Sequence, residues 1–188
     1  MQIFNTPQRY GAVAQLLHWS TAIFVVLAWV LGQVVDDLPK AFGLFAHISA
    51  GLAVLAIVIV RLLWRLFDAP PQSEENAFGV WLDQAGRAAH LALYVLLIAV
   101  PIVGIVLQFG RGQPLPLFGL GEIASPWVAD RAFARSAKEV HEVLSNMLLA
   151  IAAVHAAAAL AHHWLLRDRT LTRMMPAAPA RRISPLAP

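Results

Sequence analysis

Four apolar runs dominate this chain, at about residues 16–35, 42–63, 88–109 and 140–166, and each is long enough to cross the hydrocarbon core of a bilayer as a helix. Only 13% of the residues are charged and mean hydropathy is +0.65, a balance foreign to soluble domains. Four such runs leave little of the 188 residues for anything else. The expected fold is therefore all-α: a single four-helix transmembrane bundle over residues 1–176, both termini on one side. An Ala/Pro/Arg-rich tail, 177–188, is expected to be disordered.

Basic residues orient the bundle. Arg9, Arg61, Arg65, Arg87, Arg167, Arg169, Arg173, Arg181 and Arg182 fall on the side of the termini, nine in all, against five on the other side, Lys40, Arg111, Arg131, Arg135 and Lys138. The positive-inside rule then puts both termini in the cytoplasm. Basic flanks of membrane spans also account for the pI near 10 without a nucleic-acid partner. The first run is expected to stay in the membrane, because it is long, lacks a clear small-residue cleavage site and contains His18.

Asp36, Asp37 and Pro39 mark a short first turn, and Ala69-Pro70-Pro71 ends the second helix. The third connection, 110–137, is the longest, and a short helix is expected within it near 128–136. The chain has no cysteine, which removes disulfides, thiolate metal sites and covalent c-type haem attachment.

Each apolar run carries histidine, and ionisable groups inside a membrane are costly enough to point to function. His141 and His155 are fourteen residues apart on the fourth run, a spacing that returns the side chain to nearly the same helix face about 21 Å further along. Chain direction sets the other depths. His47, at the start of the second run, lies level with His141, and His18, in the first, lies level with His155. Each pair is suited to clamping one haem iron between two imidazoles, giving two stacked haem b groups. Gly51, Ala152, Ala156 and Ala158 leave space for flat macrocycles, although small residues also serve close helix packing. His162 shares nearly the face of His155, so spacing leaves it open as the lower ligand. His162 and His163 also lie near a helix end, where histidine is favoured on other grounds. His90 has no evident partner at its level, and all three are read as structural or propionate-contacting.

Several motifs together resemble the bacterial cytochrome b561 family: Arg9-Tyr10 with Leu17-His18-Trp19, His47 with Gly51 and the run Arg61-Leu62-Leu63-Trp64-Arg65-Leu66, and His90 with Leu93-Tyr94, Pro101 and Gly104. His141-Glu142, the stretch from His155 to His163 and the closing Asp168-Arg169-Thr170-Leu171-Thr172-Arg173-Met174-Met175-Pro176 extend the likeness to all but the tail, with most similarity to the superoxide oxidase branch. The resemblance implies a dihaem inner-membrane protein with axial ligands at His18, His47, His141 and His155, and so favours His155 over His162. It also implies oxidation of superoxide to dioxygen, with the electrons passed to ubiquinone.

A bis-histidine iron has no open coordination position, which suits outer-sphere electron transfer. Arg111, Arg131, Arg135 and Lys138 on the periplasmic side are candidates for steering superoxide, although Glu122, Asp130 and Glu139 dilute that charge. The alternative is an electron relay between the quinone pool and a redox partner protein, with no superoxide chemistry of its own. A transporter with protonatable histidines is a third reading.

Overall fold

A computed structural model describes residues 2–72 and 80–176; the expected tail, 177–188, lies outside them. Four helices follow in order: α1 (Ala12–Gln33), α2 (Lys40–Phe67), α3 (Val80–Gly110) and α4 (Arg131–Ala161). All four are long and apolar enough to span a membrane. The α1 and α2 helices pack as one hairpin and α3 and α4 as another, with α2 against α3 joining the two.

The helices run past the apolar stretches because polar residues at their ends still satisfy backbone hydrogen bonds within the helix. Arg61 and Arg65 thus lie inside α2 and Arg87 inside α3. The separate short helix expected near 128–136 is instead the first turn of α4. Asp130 starts it, its Oδ1 accepting from the N–H groups of Ala132 (2.9 Å) and Phe133 (3.0 Å), which leaves no break before the transmembrane run. Between α3 and α4 the chain makes a two-stranded antiparallel ribbon, β1 (Leu115–Pro116) with β2 (Glu122–Ile123), which hydropathy did not signal. Its Leu115 is buried.

Side chains of Val25, Val54, Val58, Leu96, Leu97 and Leu148 form the apolar core at mid-bundle. Lipid is as apolar as these residues, so tight packing rather than expulsion from water holds them together. Most apolar side chains face outward, as for Leu91 and Val154.

A seven-residue register runs through all four helices. Stepping by seven gives His18, Val25 and Gly32 on α1; His47, Val54 and Arg61 on α2; His90, Leu97 and Gly104 on α3; and His141, Leu148 and His155 on α4. Such a period keeps one seam of each helix facing its neighbours. The middle members, Val25, Val54, Leu97 and Leu148, all belong to the core. Above and below that apolar layer stand two polar ones: Gly32, His47, Gly104 and His141 toward the α3–α4 connection, called here the loop end, and His18, Arg61, His90 and His155 toward the termini.

The terminal end is tied by long-range hydrogen bonds. Trp19 Nε1 donates to the Met174 carbonyl (2.8 Å), and Gln15 Nε2 to the carbonyls of Tyr10 (2.9 Å) and Arg173 (3.3 Å). The buried Asp68 carboxylate accepts from the Asn5 N–H (3.0 Å) and Trp64 Nε1 (2.9 Å), fastening the N-terminal segment to the exit of α2.

Candidate functional site: two imidazole layers

At the loop end the rings of His47 and His141 stand 6.0 Å apart, centre to centre, and nearly perpendicular at 86°. At the terminal end His18 and His155 stand 6.4 Å apart at 73°. A metal held between two imidazoles needs a bond of about 2.0 Å on each side plus roughly 1.1 Å from nitrogen to ring centre, a separation of about 6.2 Å. Both spacings fit one metal between two rings. No group of three or more metal-binding side chains occurs among the described residues, so each pair suits an ion whose other positions are already filled, as in a porphyrin.

His90, which showed no partner in the sequence, lies 5.1 Å from His155, ring centre to ring centre. That is too close for a shared metal between opposed nitrogens, and it makes His90 a packing neighbour of the lower pair. His162 turns away from the layer: its Nδ1 pairs with Asp168 across the one-turn π-helix His162–Leu166 that closes α4. His163 packs on Trp164.

The loop-end pair has matched supports. His47 Nδ1 lies 2.9 Å from the Ala28 carbonyl on α1, and His141 Nδ1 lies 3.1 Å from the Val100 carbonyl on α3. A carbonyl can only accept, so each Nδ1 carries the proton and each Nε2 keeps its lone pair. Four residues after each accepting carbonyl comes a glycine, Gly32 or Gly104. A helical side chain lies over the turn before its own Cα, so any larger residue at these positions would cover the imidazole's place. A Cβ on Gly32 would stand 3.0 Å from His47 Cε1, and one on Gly104 3.1 Å from His141 Cε1. Pro101, inside α3, has no N–H to give the Leu97 carbonyl.

The terminal-end pair has no such supports. Arg61 takes the place on α2, with its guanidinium Nη2 3.2 Å from His18 Nδ1. The Arg61 and Arg65 guanidiniums lie 5.5 and 5.6 Å from the centre of the Tyr94 ring. His155 makes no hydrogen bond among the described residues.

A cavity of about 510 Å³ surrounds the loop-end pair, within the range of cofactor sites. Val25, Val54 and Leu148 floor it, Gly32, Gly51 and Gly104 widen it, and Trp29 Nε1 donates to Asn146 Oδ1 (3.0 Å) at its wall. All four basic residues singled out in the sequence are exposed; Arg111 and Lys138 line the mouth of this cavity and Arg131 and Arg135 do not. Lys138 is paired with Glu142 at 3.3 Å.

The glycine supports and the role of Arg61 were not read from the sequence. The seven-residue register was the available signal, since it aligns Gly32 and Gly104 with the upper histidines and Arg61 with the lower ones.

Comparison with known proteins gives the family. Residues 9–177 match the family model described as prokaryotic cytochrome b561. The chain is 32% identical to cytochrome b561 homolog 2 of Escherichia coli (strain K12), over 93% of this chain and 95% of that protein. It is 33% identical to a protein of Yersinia pestis named probable superoxide oxidase CybB, over 90% and 97% of the two chains, and 29% identical to cytochrome b561 homolog 1 of Escherichia coli (strain K12), over 89% and 97%. With its four membrane-crossing helices, the chain belongs to the prokaryotic cytochrome b561 family of multi-pass inner-membrane electron-transfer proteins, a family whose cofactor is haem b.

Proposed function

We propose that this protein is a dihaem electron relay, with one haem b held by His47 and His141 and a second by His18 and His155. The observation that carries this reading is the spacing of the two ring pairs, 6.0 and 6.4 Å, on opposite sides of one apolar layer. Haem b supplies a one-electron carrier that exchanges electrons without binding substrate at iron. The protein's part is to hold the imidazoles, fix the proton on Nδ1 of His47 and His141, and keep water from the mid-bundle with Val25, Val54, Leu97 and Leu148. With the termini cytoplasmic, as the distribution of basic residues favours, the loop-end layer faces the periplasm. The relay then joins a periplasmic electron donor or acceptor to the quinone pool. A redox difference spectrum with haem quantification tests this reading. Two b-type haems per chain are expected; a colourless protein from haem-sufficient cells overturns it.

A second reading is favoured by the residues around the loop-end cavity: superoxide is the periplasmic donor, oxidised to dioxygen, and ubiquinone the acceptor. Arg111 and Lys138 line the cavity that holds His47 and His141, and a relative of 33% identity bears the name probable superoxide oxidase. Two superoxide anions would give two electrons, and two protons complete ubiquinol. Arg111 is the stronger steering candidate because Lys138 is offset by Glu142, while Arg131 and Arg135 act only through the more distant field. Rapid mixing with superoxide is expected to reduce the haems and then ubiquinone, with Arg111→Glu slowing the first step in a salt-sensitive way. Haems that stay oxidised under superoxide leave the relay to a partner redox protein.

A further inference from the structure

Each polar layer holds one pair of imidazoles at metal-spanning distance, yet what stands behind the two pairs differs in sign. We infer that the His47–His141 level has the lower reduction potential and the His18–His155 level the higher, and that Gly32, Gly104 and Arg61 are the positioning residues that set this order. The inference rests on the dihaem reading above and adds a direction to it.

At the loop end both imidazoles give their Nδ1 proton to a helix carbonyl, Ala28 at 2.9 Å and Val100 at 3.1 Å. Such a bond makes an imidazole a stronger donor to metal. A stronger donor favours the oxidised, more positive iron, which lowers the potential. The carbonyls are reached only because Gly32 and Gly104 present no side chain where the rings lie.

At the terminal end the same register positions carry Arg61 on α2 and His90 on α3. Neither offers a carbonyl seat. An imidazole bound to metal through Nε2 keeps its proton on Nδ1 and has no lone pair there for Arg61, so His18 gains nothing in donor strength from that neighbour. What it gains is a half-buried cation, 3.2 Å away, with no carboxylate partner among the described residues. A fixed positive charge disfavours the oxidised iron and raises the potential. Arg65, against the same Tyr94 ring, is exposed and adds little. The loop end has cations too, but Lys138 is matched by Glu142 and Arg111 is exposed, where water and salt screen it. Both differences therefore act in one direction. An electron entering at the loop end passes downhill to the terminal end, with no atom transferred.

The test is optical redox titration of the purified, haem-loaded full chain. His155→Ala is expected to leave only the low-potential component, and His141→Ala only the high one. Gly104→Ala pushes His141 off its carbonyl and is expected to raise the low component alone. Arg61→Gln is expected to lower the high component alone, with Arg61→Lys keeping part of the original value. The inference is overturned if the component surviving in His155→Ala lies at or above the one surviving in His141→Ala. Should either histidine variant lose both haems, Gly104→Ala and Arg61→Gln decide: shifts in the same component, in the reverse directions, or in neither overturn it. Haem content of the same unmodified samples separates this from failure of the dihaem reading, which shows as fewer than two haems per chain.

Discussion

Histidine at the lower level presents the choice that residue chemistry has to make, because His90, His155 and His162 all lie toward one end. His155 faces His18 at 6.4 Å, His90 sits at 5.1 Å from His155, and His162 is held by Asp168. His155→Ala is therefore expected to remove about half of the bound haem in pyridine haemochrome assays, while His162→Ala retains both groups. Loss of haem in His162→Ala with retention in His155→Ala would reassign the pair. The ring planes carry a second expectation. Planes at 86° would leave the orbitals of an iron held between the two imidazoles nearly equal in energy. Low-temperature electron paramagnetic resonance of the oxidised protein is thus expected to show strongly anisotropic low-spin ferric signals rather than the narrower spread of parallel rings.

At the scale of the elements, both ends of α4 are fixed by aspartates outside the apolar run. Asp130 satisfies two N–H groups that a helix start leaves free, so Asp130→Ala should cost about 1 kcal/mol, while Asp130→Asn should cost less. Thermal unfolding in detergent can compare the two. At the other end Asp168 accepts from His162 and from the Thr170 N–H (2.9 Å). Burial pushes the Asp168 carboxyl up, but the hydrogen bonds from His162 and Thr170 outweigh it and hold the group below its ordinary value of 3.8. A carboxyl lowered on folding contributes stability above its unfolded value, and that contribution disappears as pH falls through the lower folded one. The segment after α4 is expected to loosen below about pH 3.8 and not at neutral pH. Fluorescence of Trp19, whose Nε1 donates to the Met174 carbonyl, reports it; a profile unchanged in Asp168→Asn would remove the carboxylate from this role.

For the whole molecule, the two ends are opposite in build. Residues 2–11 and 167–176 meet at the terminal end through the bonds of Gln15, Trp19 and Asp68, whereas the loop end carries the β-ribbon and the cavity. Because the chain has no cysteine, a single one can be introduced as a label site. Leu120→Cys, at the fully open tip of the ribbon, is expected to react with a membrane-impermeant maleimide in intact spheroplasts, and Thr170→Cys only after the membrane is opened. The reverse pattern would invert the proposed orientation and with it the side from which electrons arrive.

The sequence by itself determined the four spans, their alternating direction and the residues at each depth, because membrane thickness and helical rise convert residue number directly into height. It thereby placed His47 level with His141, and His18 level with His155. Height does not say which side chains meet. Only the tertiary structure decided that Ala28 and Val100 support the upper imidazoles, that Arg61 stands behind His18 and that His90 packs on His155. Those contacts depend on the rotation of each helix about its own axis, which interhelical packing fixes. Likewise the short helix expected near 128–136 belongs to the start of α4, since hydropathy follows lipid contact whereas helix continuity follows backbone hydrogen bonds, which run through Arg131 and Arg135 without regard to charge.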